Sequence, residues 1–117
     1  MIETIHIKRG NILQQLRKRT IKNFMDLLIL MNLRREPMSG YDVITMIFND
    51  FGFLPSSGSI YSTLYALERE GLIKGYWNGK KRLYILTAMG EKVVRISLTS
   101  FNSIENLISN IFKDQIT

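Results

Sequence analysis

Two groups of side chains in this sequence are suited to binding a charged partner. The first combines small hydroxyls with aromatic rings near the start of one predicted helix: Ser57, Ser59, Tyr61, Ser62 and Tyr65. The second is a run of three consecutive cations: Lys80, Lys81 and Arg82. Hydroxyls near a helix N-terminus can bind phosphates beside the free backbone amides, and clustered cations neutralise phosphate charge. Both groups therefore fit a polyanionic partner.

Residues for catalysis or metal binding do not form a recognisable set. The chain has no cysteine, which excludes disulfides, thiol catalysis and cysteine-ligated zinc. His6 is the only histidine, and no Ser-His-Asp pattern or glycine-rich phosphate loop accompanies it. The acidic residues Asp42, Glu68 and Glu70 all have structural explanations at predicted helix ends. We therefore expect a non-enzymatic protein without a cofactor or a metal ion.

Positive charge is concentrated in two segments of a chain whose net charge is +6. Residues 1–38 hold eight Lys or Arg against three acidic residues, and residues 72–90 hold four against none. Residues 39–71 hold one against four. Two basic segments favour a polyanion, although the same cations could simply solvate an exposed face. No apolar run is long enough to span a bilayer, so we expect a cytoplasmic protein without a membrane partner.

Helix boundaries in the first two thirds of the chain are marked by capping residues. Ser39-Gly40-Tyr41-Asp42 has the pattern of a capping box, and Gly52 predicts the end of the same helix. Ser56 predicts the cap of the next helix, and Gly71 predicts a Schellman motif at its end. The inner face of this second helix is expected to contain Ile60, Leu64 and Leu67. Residues 11–35 have helical periodicity, as one helix or two, with Asn11 as a candidate cap.

A hairpin and a long amphipathic helix are expected to complete the chain. Residues 72–77 and 81–86 are predicted strands around Asn78-Gly79, a dipeptide typical of a type I′ turn. Trp77 is expected to pack against this hairpin. Thr87 predicts the cap of a final helix, along which apolar residues recur every three or four positions: Val94, Leu98, Phe101, Ile104, Ile108 and Ile111. Because this stripe extends beyond a small domain, we expect a second copy of the chain to cover it.

These elements predict a mainly α fold with a small β-hairpin (α+β), organised as a winged helix-turn-helix followed by a long C-terminal dimerisation helix. In this interpretation residues 1–117 form a single domain. Residues 1–19 are a basic N-terminal extension, residues 20–86 form the winged helix-turn-helix, and residues 87–117 form the dimerisation helix.

Three segments resemble the PadR-like family of winged-helix transcriptional regulators. Residues 38–44 are similar to the start of that family's second helix, residues 57–73 to its recognition helix, and residues 81–90 to its wing strand and dimer helix start. The chain departs from the family at Ser62, where proline is usual, and at Ser39, where histidine is common. The resemblance implies a homodimer that represses transcription from a palindromic operator, sometimes relieved by a small-molecule effector.

Within this architecture, ten residues are expected to contact double-stranded DNA. They are Tyr41, Ser57, Ser59, Tyr61, Ser62, Tyr65, Arg69, Lys80, Lys81 and Arg82. For Tyr41 and Tyr61, packing against the protein is an equal alternative. Two other functions stay open. The acidic balance around Glu68 and Glu70 favours a winged-helix protein-interaction module, and the serine-rich helix favours an architectural protein that binds DNA without sequence preference.

Overall fold

The computed structural model describes residues 8–115 and contains six helices and one antiparallel hairpin. The elements before the hairpin are α1 (Arg9–Asn23), α2 (Met25–Leu33), α3 (Gly40–Phe51) and α4 (Ser57–Arg69). The hairpin consists of β1 (Ile73–Asn78) and β2 (Lys81–Leu86), and the chain continues as α5 (Ala88–Thr99) and α6 (Phe101–Lys113). This is the predicted α+β winged helix-turn-helix.

The N-terminal periodic segment forms two helices that meet at a single residue. Helix α1 begins at Arg9, with Lys8 as its N-cap, so the expectation that Asn11 caps it is wrong. At the junction, the Phe24 N–H donates to the Thr20 carbonyl at 3.1 Å, and the Phe24 carbonyl accepts from Leu28 N–H at 2.9 Å. The helical hydrogen bonds therefore continue on both sides of the break. His6 lies outside the described residues.

The predicted caps of α3 and α4 are confirmed. The Asp42 N–H donates to Ser39 Oγ at 3.1 Å, and the Ser39 N–H donates to the Asp42 carboxylate at 2.9 Å, which completes a capping box. Gly52 ends α3 with a φ of +68°, a conformation that favours glycine. Ser56 Oγ accepts from the Ser59 N–H at 3.1 Å and caps α4.

Helix α4 ends in the predicted Schellman motif. The Leu72 N–H donates to the Leu67 carbonyl, and the Gly71 N–H donates to the Glu68 carbonyl, both at 3.0 Å. Gly71 has a φ of +77°. The motif reverses the chain immediately after α4 and places β1 directly beside this helix.

The turn of the hairpin differs from the prediction. Asn78 pairs with Lys81 across the two strands, so Gly79 and Lys80 form the turn. Gly79 has a φ of +64° and Lys80 does not have a positive φ, which is the pattern of a type II′ turn. The predicted type I′ turn over Asn78-Gly79 is therefore wrong. The opposite edge of β2 pairs with Met38, because the Tyr84 N–H donates to the Met38 carbonyl at 2.8 Å.

One hydrophobic core joins all elements except α6. Its fully buried side chains come from α2 to α5 and from both strands: Ile29, Leu30, Val43, Ile47, Ile60, Leu64, Ile73, Tyr84 and Val94. Burial raises the pKa of the Tyr84 phenol above 10.0, which is its ordinary value. The core anchors the inner face of α4, as the sequence predicts, and leaves the opposite face of that helix to solvent.

The expected long C-terminal helix is divided at Ser100 into α5 and α6. The hydroxyls of Thr99 and Ser100 both donate to the Ile96 carbonyl, at 2.9 and 2.8 Å, and the Ser100 N–H donates to it as well. Such bonds from Ser and Thr to the preceding helical turn bend helices. The assignment of Val94 to a dimer interface is also wrong, because Val94 is fully buried within its own chain.

Candidate nucleic-acid interface

The outer face of α4 presents most of the predicted helix residues to solvent. Ser57, Ser62, Tyr65 and Arg69 are exposed, while the intervening apolar residues are held in the core. Ser59 is exposed too, but its hydroxyl accepts a hydrogen bond from the Ser56 hydroxyl at 3.0 Å. The face therefore offers two unengaged serines, one ring and one guanidinium along a single rigid helix.

Tyr61 both packs against the protein and borders the outer face of α4. Its ring lies against the start of α3, where a Cβ added at Gly40 would fall 2.5 Å from Tyr61 Cε1. The ring centroids of Tyr61 and Tyr65 are 6.4 Å apart, with an interplanar angle of 39°. Tyr41, by contrast, is 71% exposed, so most of its side chain is accessible to a partner.

Lys80 and Lys81 project their charges from the β1–β2 hairpin, which forms the wing of the molecule. Lys80 lies in the turn and is exposed. Lys81 Nζ lies 3.5 Å from the Asp42 carboxylate, and 57% of the Lys81 side chain remains accessible. Ion pairs this exposed contribute little stability and are readily exchanged for a stronger partner. Both ammonium groups are thus available to a phosphate backbone.

Asp42 connects the wing to the start of α3. Its pKa lies below the ordinary 3.8, chiefly because the Ser39 backbone amide donates to the carboxylate, and Lys81 adds a further attraction. The carboxylate therefore stays ionised under all ordinary conditions. Helix α3, which also carries the exposed Tyr41, is in this way joined to the wing.

Arg82 does not extend from the wing in the way that the sequence predicts. Its Nη2 lies 3.3 Å from Glu68 Oε2, and only 34% of its side chain is exposed. The guanidinium carbon lies 5.5 Å from the Trp77 ring centroid and 5.7 Å from that of Tyr84. In the free chain Arg82 is not an unpaired cation, because an ion pair and two aromatic rings hold it inward, and its contact with DNA stays a prediction. Trp77 is 66% exposed and contacts the hairpin at the Arg82 guanidinium, so the expected packing against the hairpin is only partial.

An exposed apolar surface covers the C-terminal helices. It includes five of the six predicted stripe residues: Leu98, Phe101, Ile104, Ile108 and Ile111. Three exposed neighbours, Ile96, Leu107 and Phe112, extend it beyond the predicted stripe. Leu107 and Phe112 follow stripe residues by three and four positions, so the same periodicity rule could have found them. No described residue of α6 is buried within its own chain.

A shallow apolar groove lies between α1 and the end of α3. Leu13, Leu16, Ile21 and Phe51 contribute its apolar walls. Arg17 Nη2 donates to the Phe51 carbonyl at 3.0 Å and holds the two helices together there. The molecule thus has a second apolar surface, separate from that of α6.

Over residues 8–115, no group of three or more His, Cys, Asp or Glu side chains is placed to hold a metal ion. No helix in this described part is both long and apolar enough to cross a membrane.

The order of elements is that of a winged helix-turn-helix protein. Helix α3 and a short turn precede the exposed, capped helix α4, and the basic β1–β2 hairpin follows it. The sequence profile of one protein family, the transcriptional regulator PadR-like family, matches residues 29–96 of this chain. The chain belongs to this family, whose function is DNA-binding transcription regulation.

Solved structures share the fold. A transcriptional regulator from Clostridium thermocellum is 23% identical and has a TM-score of 0.70, covering 79% of this chain and 93% of its own. A PadR family regulator from Eggerthella lenta is 22% identical and has a TM-score of 0.73, and the match covers 88% of this chain and 94% of that one. A PadR-like regulator from Bacillus cereus is 24% identical and has a TM-score of 0.70, and the match covers 80% of this chain and 96% of that one. No curated protein sequence matches significantly.

Proposed function

We propose that this protein is a sequence-specific, non-enzymatic regulator that binds a palindromic operator as a homodimer and represses transcription. The observation that carries the proposal is that α4, with its exposed face, is joined through Glu68 to a wing that carries the exposed cations Lys80 and Lys81. In a winged helix-turn-helix, such a helix enters the major groove while the hairpin contacts the adjacent backbone. The DNA contacts proposed on the helix side are Tyr41, Ser57, Ser59, Tyr61, Ser62, Tyr65 and Arg69.

The homodimer is proposed from the apolar surface of α5 and α6. Apolar patches of this extent on a small protein mark an interaction surface. A second copy is the simplest partner, because a twofold axis lets the same surface serve both subunits. Arg34 donates to the Glu91 carboxylate through Nε and Nη2, both at 2.9 Å, and so ties α5 to α2. Dimerisation through this region would therefore fix the separation of the two α4 helices.

Selection of binding sites from random duplexes tests this proposal. We expect enrichment of an inverted repeat whose half-site centres lie about one helical turn apart, or a multiple of it. Transcription in vitro from a promoter containing that repeat should fall as the protein is added. Enrichment of a single, unrepeated site would contradict the dimeric operator, and increased transcription would contradict repression.

One alternative, an architectural protein without sequence preference, has specific support. The α4 face offers serine hydroxyls and only one guanidinium, and hydroxyls discriminate weakly among base edges. The other alternative, a protein-interaction module, keeps only part of its argument. Arg82 lies 3.3 Å from the Glu68 carboxylate and offsets that charge, whereas Glu70 is exposed and forms no ion pair among the described residues.

A further inference from the structure

A cluster of five residues joins the wing to α4, and we call it the wing cluster: Glu68, Gly75, Trp77, Arg82 and Tyr84. Glu68 Oε2 accepts from the Gly75 N–H of β1 at 2.9 Å and from Arg82 Nη2 of β2 at 3.3 Å. A single carboxylate oxygen on α4 therefore holds both strands of the hairpin. Among the side-chain hydrogen bonds of the described residues, these two alone connect α4 to the wing.

The guanidinium of Arg82 fits a space that only glycine leaves open. A Cβ added at Gly75 would lie 2.6 Å from Arg82 Nη2 and 2.8 Å from its Cζ. The rings of Trp77 and Tyr84 flank the same guanidinium at distances typical of cation–π contacts. Tyr84 is buried in the core, so the cluster connects the hydrophobic core with the exposed wing.

The geometry separates Arg82 from the other two cations of the wing. Moving Arg82 onto a phosphate would break its bond to Glu68 and leave that carboxylate without its partner beside DNA. Lys80, in contrast, forms no ion pair among the described residues, and Lys81 has only the loose pair with Asp42. Three adjacent cations in the sequence thus have two different environments.

We propose that Arg82 is a positioning residue, which together with Glu68 sets the placement of the wing relative to α4, while Lys80 and Lys81 are the phosphate ligands. This inference depends on the proposed DNA binding. It assigns the wing cluster the task of keeping the backbone contacts of the hairpin in register with the groove contacts of α4.

A charge-neutral double variant tests the positioning role. Glu68→Gln combined with Arg82→Gln removes one charge of each sign, so the net charge of the protein is unchanged. We expect DNA affinity to fall by about two- to fivefold, the range for a partly exposed ion pair, with an unchanged slope of log affinity against log salt. Lys81→Gln, the matched control, should reduce that slope by about 0.9, as expected for one lost phosphate contact.

The single variants distinguish the two roles further. Glu68→Gln also removes a negative charge near DNA, so Glu70→Gln, an exposed position outside the wing cluster, serves as its charge-matched control. Under our proposal, Glu68→Gln strengthens binding no more than Glu70→Gln does, because Arg82 loses the partner that orients it. If Arg82 were instead a phosphate ligand restrained by Glu68, Glu68→Gln would release it and increase affinity beyond that of the control. A slope reduction in Arg82→Gln equal to that of Lys81→Gln, or undiminished affinity of the double variant, would overturn the proposal.

Two measurements on the free protein test the cluster without DNA. Hydrogen exchange of the Gly75 amide, followed by NMR, should accelerate in Glu68→Ala, because its N–H loses its acceptor. Acrylamide quenching of Trp77, the only tryptophan, should increase in Arg82→Gln but not in Lys80→Gln. Circular dichroism melts confirm that each variant is folded. Unchanged exchange and quenching would refute the cluster itself, whereas failure of the wild type to bind any DNA would refute the proposed function.

Discussion

Placing a charge on the apolar surface of the C-terminal helices should separate the proposed dimer. Leu98 and Ile108 are 48% and 43% exposed in the single chain, so dimerisation could bury up to about half of each side chain. Burying that much of a Leu or Ile contributes about 1 kcal/mol. Two residues in each of two subunits then contribute about 4 kcal/mol per dimer. Changing both residues to Asp should raise the dimer dissociation constant by roughly a thousandfold, before any cost of burying the new carboxylates.

Light scattering coupled to size-exclusion chromatography, over a range of protein concentrations, measures this directly. The wild type should elute with twice the mass of the chain and the double variant with the mass of one chain. The control is Asn106→Asp, which adds a charge to α6 at an exposed polar residue that is not part of the apolar stripe. This variant should leave the dimer intact. A dimeric double variant with normal helicity, or a monomeric wild type at all concentrations, would refute the reasoning.

Three further predictions concern stability and the α4 face. Gly90→Ala should lower the free energy of unfolding by about 1–3 kcal/mol or more, and with it the melting temperature, because the new Cβ would overlap a backbone carbonyl. Gly58→Ala, where a Cβ meets open space, should instead raise the free energy of unfolding by up to about 1 kcal/mol. Asp42→Asn should cost about 1 kcal/mol near pH 7. Because the pKa of Asp42 in the folded protein is below 3.8, the wild type keeps the stability contributed by the ionised carboxylate above pH 3.8 and loses it as the pH falls through the folded pKa. In thermal melts over this pH range, the Asp42→Asn variant should not show that loss of stability. Gly40→Ala should displace the ring of Tyr61 and weaken DNA binding at nearly unchanged stability, as measured by anisotropy and melting; unchanged affinity would remove Tyr61 from the interface.

Helix ends are predictable from sequence because their physics is local. Ser39, Ser56 and Thr87 each cap a helix through an amide three residues later, and Gly71 takes the left-handed conformation that the Schellman motif requires. The turn after Asn78 could not be predicted from local sequence, because the register of the two strands depends on which side chains are buried. With Tyr84 in the core opposite Gly75, Asn78 pairs with Lys81 and only two residues remain for the turn.

Contacts between distant residues explain the other differences. The sequence places Arg82 next to two lysines, but only the folded chain brings it to Glu68, fourteen residues earlier. Val94 fits the periodicity of the apolar stripe, yet at this end of the stripe the chain itself supplies the covering surface. Periodicity shows that a helix has an apolar face, and tertiary packing decides what covers it.

The central claim, sequence-specific DNA binding, is tested most directly by fluorescence anisotropy across a salt series. The measurement compares a labelled duplex from upstream of the protein's own gene with an unrelated duplex of equal length. We predict at least roughly a thousandfold preference for the upstream duplex, the lower limit for specific binding, with affinity falling as salt increases. Equal, salt-sensitive affinity for both duplexes would contradict the claim and establish an architectural DNA-binding protein instead.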